Sequence, residues 1–292
     1  MQLSFSSFAL NCVYDLKRDG RFSTASLYSN SIRSLCEYLG RDSVGFGEIT
    51  PRLLKSYEQY LIRGRHKLNT ISTYMRMLRA IYNKAVDAGH TKYIHHLFHK
   101  VYTGIDRSHK KALELPQLRI LLNGDVRSRV LQKIQQTACV MYQLCGMPYV
   151  DLQQLSMDSI SDGSLSYCRR KTGTCVSVPV KRDTLRTLRA LGLGNADMNT
   201  ESGYHCYQSS LRKFNAGLSR LAKKLGIKGH VSSYTLRHSW ATTALHSHVP
   251  VELISSALGH RDIRTTQIYL KGFNVGEIEK ANRKILRYMD GR

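Results

Sequence analysis

Three short segments of this sequence place basic, imidazole or phenol side chains at spacings that suit the binding of an anion. In the first, Ser232 or Ser233 is in position to cap a helix on which Tyr234 and Arg237 follow three residues apart. Residues at that spacing share one face of a helix, and a helix N-terminus favours anions through its dipole and its unpaired N–H groups. This segment therefore predicts a phosphate-binding position.

The other two segments supply further candidates for chemistry. Leu258-Gly-His-Arg-Asp-Ile-Arg-Thr-Thr-Gln-Ile-Tyr predicts a helix that ends at Gly259 and a second helix that carries Tyr269, nine residues after His260. Arg169-Arg-Lys-Thr-Gly predicts a basic β-turn. Taken one at a time, these residues have plainer explanations, since a tyrosine in an amphipathic helix is usually a core residue and a lone lysine in a turn is common.

The charge of the chain favours a polyanionic partner. Lys and Arg number 44 against 21 Asp and Glu, which gives a formal net charge of +23, far more than solubility requires. The basic residues are spread along the whole chain, which favours nucleic acid over a membrane surface. The longest uncharged stretch, Ile134 to Val150, contains three glutamines and a proline, so it predicts a buried helix and not a membrane span.

The N-terminus and the cysteines indicate a cellular compartment. Met1-Gln-Leu-Ser-Phe lacks the basic segment and apolar core of a secretory signal. The seven cysteines form an odd, widely spaced set without a Cys-x-x-Cys pair, so we expect reduced thiols and neither disulfides nor a zinc site. The expectation is a cytoplasmic, nucleoid-associated protein that binds no metal.

Helices dominate the predicted fold of the N-terminal part. Apolar residues at three- and four-residue spacing predict helices at about Phe5–Lys17, Thr24–Leu39, Pro51–Ile62 and Thr70–Ala88, the second of them beginning at the Ser23-Thr24 cluster. The fourth carries Arg76, Arg79 and Lys84 among apolar residues. These three form either a DNA-contacting face or an ordinary solvated face.

A break in the apolar pattern predicts a domain boundary. Arg107, His109, Lys110 and Lys111 make a basic connector before the pattern resumes at Leu115-Pro116. The following elements are helices at Pro116–Leu122 and Arg129–Leu144, a β segment at Leu165–Val180 and further helices, one with an apolar stripe from Leu211 to Leu225. We therefore predict a mainly α fold with a small β-sheet, divided into residues 1–105, a linker 106–111 and residues 112–292.

On these motifs the sequence resembles the tyrosine recombinases, also called phage-integrase-type recombinases. Asn69-Thr-Ile-Ser-Thr-Tyr-Met-Arg-Met-Leu-Arg-Ala resembles the last helix of the family's core-binding domain, and Leu236-Arg-His-Ser-Trp-Ala-Thr resembles its second catalytic box. The spacing of 23 residues from Arg237 to His260, and of nine from there to Tyr269, suits the family. The resemblance implies an all-helical, SAM-like core-binding domain followed by a mixed α+β catalytic domain.

The resemblance also implies roles for individual residues. Tyr269 is the nucleophile, Arg237 the second arginine clamp, His260 the residue of the His/Trp position and Lys171 the general acid of the β-hairpin. Arginines hold the charge that develops on the nonbridging phosphate oxygens, and the lysine protonates the departing 5′-oxygen. Because the phosphotyrosyl ester preserves the energy of the broken bond, the family needs neither metal nor ATP, and no cofactor is expected.

The sequence departs from the family at two positions. In the family, the first catalytic arginine normally follows a Thr-Gly-Leu segment, and here Pro148 stands in its place. A branch of the family that has a Gly-Met-Pro box shares this change. Residues two apart on a strand point to the same face, so we expect Arg169 to project beside Lys171. Arg169 then either replaces the missing arginine or contacts a flanking phosphate. Tyr234 stands where a catalytic histidine is usual, and its hydroxyl can donate a hydrogen bond but is a poor base.

Several neighbours complete the expected site. His238 is expected to be a packed, structural histidine turned away from Arg237, and Asp151 is expected to orient a nearby basic residue. The expected DNA contacts are Arg76, Arg79, Lys84, Lys110, Lys111 and Arg170.

The expected function is site-specific DNA recombination through a 3′-phosphotyrosyl intermediate, in DNA inversion or in the integration and excision of a mobile element. The expected partners are duplex DNA with an inverted-repeat core site and three further copies of the chain, a homotetramer on two sites in which a C-terminal helix, Gly276 to Arg292, docks on the neighbouring protomer. Two alternatives remain open. One is a degenerate recombinase that binds DNA without cutting, suggested by Pro148 and Tyr234, and the other is a related topoisomerase, which would need no specific sequence.

Overall fold

The computed structural model describes residues 3–106, 112–267, 279, 282–283, 285–287 and 289–290. The chain divides into two compact units, Met1–His109 with Asn199–Tyr204, and Lys110–Met198 with His205–Arg292. Tyr269, Lys110 and Lys111 lie outside the described residues, as does most of the predicted C-terminal helix from Gly276 to Arg292.

Within residues 3–106, four α-helices build the first unit. They are α1 (Phe5–Arg18), α2 (Phe22–Leu39), α3 (Pro51–Arg63) and α4 (Leu68–Asp87). Ser4 caps α1 and Thr50 caps α3 through side-chain oxygens that accept backbone N–H groups, which the first turn of a helix leaves unpaired. Their apolar faces meet in one buried core. Helix α2 begins at Phe22, not at the Ser23-Thr24 cluster. Arg21 takes the N-cap position without a side-chain hydrogen bond, and Phe22 is buried with its ring stacked on that of Tyr204.

The described part of the second unit is also mainly helical. Its helices are α5 (Leu115–Asn123), α6 (Arg129–Gln143), α7 (Tyr149–Gln153), α8 (Arg182–Leu191), most of α9 (Glu201–Lys224), α10 (Ser233–His246), α11 (Val251–Leu258) and α12 (Arg264–Gln267). The predicted stripe of α9 lies in the core, where Phe214, Leu218 and Leu221 are buried. Each such side chain contributes about 1.5–3 kcal/mol by leaving water.

A small antiparallel sheet lies among these helices in the chain order β1 (Ile160–Ser161), β2 (Ser164–Cys168) and β3 (Cys175–Pro179). In the main hairpin Leu165 pairs with Val178 and Cys168 pairs with Cys175. Leu165 and Val178 face the core, whereas both cysteines are exposed on the other face. The prediction of a mainly α fold with a small sheet is confirmed.

The uncharged stretch from Ile134 to Val150 does not form the single buried helix that its composition predicted. Helix α6 ends at Gln143, and Cys145 and Gly146 take left-handed backbone angles, with φ of 57° and 66°. Pro148 then caps α7, because it has no N–H to continue a helix ladder. The stretch is therefore a helix, a tight turn and a second helix.

The expectation of reduced thiols was wrong for one pair. Cys168 and Cys175 form a disulfide across β2 and β3, and the other five cysteines are free. The pairing depends on strand register, which places two residues seven apart in the sequence directly opposite each other. None of the described helices is both long and apolar enough to cross a membrane.

Candidate active site

Two guanidinium groups meet at one backbone carbonyl in the second unit. Arg237, in the first turns of α10, donates to Leu258 O at 2.5 Å and to Gly146 O at 3.1 Å. Arg169, which follows β2, donates to Leu258 O at 2.9 Å and to Gly259 O at 3.1 Å. The two side chains are only 3% and 7% exposed. Carbonyl oxygens orient a guanidinium without neutralising it, and one buried carboxylate, that of Asp151, is paired with Arg169, so the two arginines leave a net positive charge at this point.

Helix α10 positions Arg237 through its N-terminal cap. The Ser232 side chain accepts the Thr235 N–H, and the Thr235 hydroxyl accepts the Ser232 N–H, so the predicted serine cap is confirmed. Tyr234 is 47% exposed, and its ring stands edge-on to that of His238, with the centroids 4.3 Å apart. His238 is buried, as expected of a packed histidine. The N-terminal end of α10 therefore presents the exposed phenol of Tyr234 one turn before the buried Arg237.

His260 lies directly against Arg237. Its Nε2 is 3.2 Å from Arg237 Nη2, and its Nδ1 is 2.8 Å from the Thr266 hydroxyl. Because a guanidinium can only donate, Nε2 accepts and the proton of the neutral ring is on Nδ1, which donates to Thr266. Burial, followed by the charges of Arg237 and Arg169, lowers the pKa of His260 to about 4. The imidazole is therefore neutral at physiological pH.

Asp151 anchors the beginning of the hairpin loop. Its carboxylate accepts the Arg170 N–H at 2.9 Å and Arg169 Nε at 3.4 Å. Burial raises the pKa of Asp151, and these two donors oppose the shift. The expectation that Asp151 orients a basic neighbour agrees with this geometry. Arg170 also donates to the Met198 carbonyl at 2.8 Å, so part of its guanidinium is engaged by the protein.

Arg169 and Lys171 do not project side by side, as strand alternation had predicted. Strand β2 ends at Cys168, and the Arg169 N–H donates to Thr174 O while the Gly173 N–H donates to Arg169 O, so residues 169–174 form a turn. Arg169 turns into the protein, whereas Lys171 is exposed. Lys171 still lies near enough to His260 for its charge to contribute to the low pKa of that ring.

Two glycines allow the arginines to approach the backbone. A Cβ on Gly259, which has φ +61°, would lie 2.5 Å from Arg169 Cδ. A Cβ on Gly146, at φ +66°, would lie 3.1 Å from the Cα of Arg237. Any side chain at either position would be strained in its backbone and would displace an arginine.

The predicted basic face of α4 lies in the first unit. Arg76 and Arg79 are one helical turn apart and share a face, with Arg79 exposed. Arg79 lines a cavity of about 340 Å³ together with His96 and His99. Lys84 is five residues further along and lies on another face, its Nζ 5.9 Å from the centre of the Tyr28 ring.

Sequence reasoning missed Thr266 and the carbonyls of Gly146, Leu258 and Gly259. The only signal for Thr266 was its place in the segment between His260 and Tyr269. Carbonyl groups have no sequence signal, because every residue carries one. Across the part of the chain that the structure describes, no three His, Cys, Asp or Glu side chains are placed to hold a metal ion.

Comparison with known proteins covers both units. The sequence-family model of the phage integrase SAM-like domain matches residues 4–101, and the sequence-family model of the phage integrase family matches residues 118–274. Tyrosine recombinase XerC of Alcanivorax borkumensis is 29% identical over 171 residues, which are 54% of this chain and 55% of that protein. Tyrosine recombinase XerD of Rhizobium meliloti is 23% identical over 275 residues, which are 87% of this chain and 86% of that protein. In its match to the first of these relatives, the chain spans about half of the relative's length.

Solved structures show the same fold. A lambda integrase dimer bound to a COC′ core site is similar with a TM-score of 0.65 and 16% identity, covering 92% of this chain and 79% of that one. The Tn1549 transposon integrase in complex with a circular intermediate DNA is similar with a TM-score of 0.63 and 14% identity, covering 97% of this chain and 99% of that one.

Proposed function

Because the chain belongs to the phage integrase family, we propose that it is a site-specific DNA recombinase that cuts and rejoins strands through Tyr269. The observation that carries the proposal is the convergence of Arg169 and Arg237 on the Leu258 carbonyl beside a neutral His260. A phosphodiester attacked in line gathers negative charge on its nonbridging oxygens, and two guanidiniums in a poorly hydrated site stabilise that charge.

Arg169 supplies the guanidinium that is missing where Pro148 replaces the family's first arginine. Arg169 follows a strand, not α6, but its guanidinium meets the same carbonyl as that of Arg237. We therefore infer that Arg169 is the substitute for the missing first arginine, in a branch of the family with a Gly-Met-Pro box. Its Nη1 bonds and the Asp151 contact at Nε hold the plane of the guanidinium, which leaves Nη2 as the atom to aim at a phosphate.

The remaining groups supply proton transfer and orientation. The phenolic proton of Tyr269 passes to solvent as Tyr269 Oη attacks the phosphorus. The bond to the 5′-oxygen breaks, and Lys171 Nζ, at the exposed tip of the loop, donates a proton to that oxygen. The neutral His260 cannot be a proton donor from Nε2, so it orients Arg237 and, with its Thr266 bond, the segment that leads to Tyr269. The exposed Tyr234 hydroxyl donates to a phosphate oxygen.

The two parts of the chain then divide the work. Residues 1–105 clamp DNA, with Arg76, Arg79 and Lys84 as phosphate contacts. Residues 106–111 form the linker, which contributes Lys110 and Lys111. Residues 112–292 cut the DNA, with Arg170 at the flank of the site. The substrate is duplex DNA with inverted repeats. Four copies assemble on two sites, with the C-terminal helix docking in trans, for inversion or for integration and excision. The net charge of +23 and the DNA complexes of the lambda and Tn1549 integrases support this partner.

A suicide-substrate assay tests the proposal. The protein is incubated with nicked duplex DNA that carries inverted repeats from beside its gene, in the presence of a metal chelator. Covalent protein–DNA adducts are then sought on a denaturing gel. We expect an adduct with the wild type and with the control Tyr14→Phe, whose ring is 68% exposed on α1, and none with Tyr269→Phe. Sequence-specific binding without any adduct would identify the non-cutting alternative and point to Pro148. On a separate, closed supercoiled plasmid, relaxation without sequence preference would identify a topoisomerase.

A further inference from the structure

The disulfide between Cys168 and Cys175 closes the loop that carries Arg169 and Lys171. The Val180 N–H donates to Gly163 O, and the Arg169 N–H donates to Thr174 O. Hydrogen-bonded pairs alternate along an antiparallel ladder, so Cys168 and Cys175 form a non-hydrogen-bonded pair, in which opposite side chains approach most closely. The disulfide is thus a covalent bond at the last ladder position before the turn.

The disulfide faces solvent. Both cysteines are exposed, on the same face of the hairpin as Ser166 and Ser177, whose hydroxyls lie 3.2 Å apart. The opposite face is in the core. Among the free cysteines, burial raises the pKa of the thiol at Cys12, Cys36, Cys139 and Cys145, whereas Cys206 is exposed. A thiol reagent in solution therefore reaches the disulfide and Cys206 most readily.

The loop that the disulfide closes is in contact with the catalytic groups. Arg169 donates to the carbonyls of Leu258 and Gly259, and the Thr172 hydroxyl donates to Gly259 O at 3.4 Å. Gly173 lies beside the Arg261 side chain, since a Cβ there would be 3.3 Å from Arg261 Nη2. A change in the mobility of residues 169–174 therefore alters where the Arg169 guanidinium and the Lys171 ammonium lie.

We propose that the Cys168–Cys175 pair is a redox modification site, and that its reduction by a dithiol slows strand cleavage by loosening the hairpin loop. One thiolate of the dithiol attacks a cysteine sulfur, the S–S bond breaks and the second thiol resolves the mixed disulfide. Two electrons and two protons pass to the cysteines, and the dithiol leaves as its own cyclic disulfide. The effect on cleavage rests on the proposed function, whereas the effect on the loop does not.

The first experiment counts the thiols that react with a label and measures the rate of amide hydrogen exchange. Denatured protein kept oxidised should bind five equivalents of a thiol label, and protein treated with dithiothreitol should bind seven. Amide hydrogens of the peptide spanning 169–174 should exchange faster after reduction, because a short closed loop has few open states. Seven labelled thiols after mild oxidation, or equal exchange in both states, would overturn the proposal whether or not the protein cuts DNA.

The second measurement is the rate of adduct formation on the nicked substrate. We expect the reduced protein to react on the order of tenfold more slowly than the oxidised one, since the ladder hydrogen bonds still hold part of the loop. The double variant Cys168→Ser/Cys175→Ser should react at the slow rate in both redox states, and the control Cys206→Ser should respond like the wild type. Equal rates for the oxidised and reduced wild type contradict the redox control alone. No adduct in either state contradicts the proposed function, and the exchange experiment still decides the effect on the loop.

Discussion

Arg169 lies so close to Gly259 that a Cβ on the glycine would stand 2.5 Å from Arg169 Cδ. The same methyl group would be 2.7 Å from Val176 Cγ2, so the hairpin and the turn after α11 fit together only if residue 259 has no side chain. The carbonyl of Gly259 in turn accepts Arg169 Nη1 at 3.1 Å. The turn between α11 and His260 therefore fixes the arginine that we propose as a catalytic group.

Gly259→Ala should lower the rate of cleavage by roughly 10²–10³-fold, the loss expected when one arginine that stabilises a developing anion is displaced, and it should destabilise the second unit. The left-handed backbone and the clash together cost about 1–3 kcal/mol in the free energy of unfolding, and Arg169 must leave its position. Gly163→Ala is the control, because Gly163 has φ +70° but no atom within 4 Å of the added Cβ. Urea unfolding and adduct formation measure both effects. Normal cleavage by Gly259→Ala would show that the Arg169 position is not needed.

Arg169→Ala should lower the rate of adduct formation by roughly 10²–10³-fold, as expected for the loss of one group that stabilises a developing anion. DNA affinity should be nearly unchanged, since the side chain is buried and not available to bind flanking DNA. Arg170→Ala is the control within the same loop, and it should lose affinity more than rate. If Arg169→Ala cuts at the wild-type rate while binding weakly, Arg169 is a flanking phosphate contact.

The neutral His260 predicts a characteristic pH dependence. Because its pKa is about 4, lowering the pH from 8 to 6 should not titrate it, and any change of cleavage rate in that range must come from another group. In the unfolded chain a histidine has a pKa near 6.5, so this residue stabilises the fold fully above about pH 6.5, and that contribution declines as the pH falls toward 4. Unfolding free energies measured from pH 8 to 4 should decline less for His260→Gln than for the wild type. Equal slopes would mean that the ring is not held neutral by the fold.

Arg79→Ala should weaken DNA binding equally for cognate and unrelated duplexes. A phosphate contact carries no sequence information, and its loss should reduce the slope of log Kobs against log salt by about 1. Arg33→Ala is the control in the same unit. It removes the same charge, but the Arg33 side chain is engaged by Asn30 and Glu37 on α2. Fluorescence anisotropy at several salt concentrations measures the slopes. Identical losses for both variants would indicate a general charge effect and not a contact at Arg79.

Local patterns in the sequence were sufficient for much of the fold. Apolar spacing predicted the helices of the first unit, because an amphipathic face is a local property. The serine cap of α10 and the glycine that ends α11 were predicted from residue type alone, since caps and left-handed turns depend on a few adjacent residues. The segments around Arg237 and Leu258 were likewise sufficient to indicate the family, because their spacing is written in the chain.

Only the tertiary structure decided which of these groups meet. The shared Leu258 carbonyl joins Arg169 and Arg237, which are 68 residues apart in the sequence, and no local rule brings them together. The turn at Cys145 and Gly146 and the end of β2 at Cys168 reversed two predictions, one of a single helix through the uncharged stretch and one that Arg169 and Lys171 project from the same face of a strand. The disulfide and the low pKa of His260 arise in the same way, since strand register and burial are properties of the packed chain and not of any single segment.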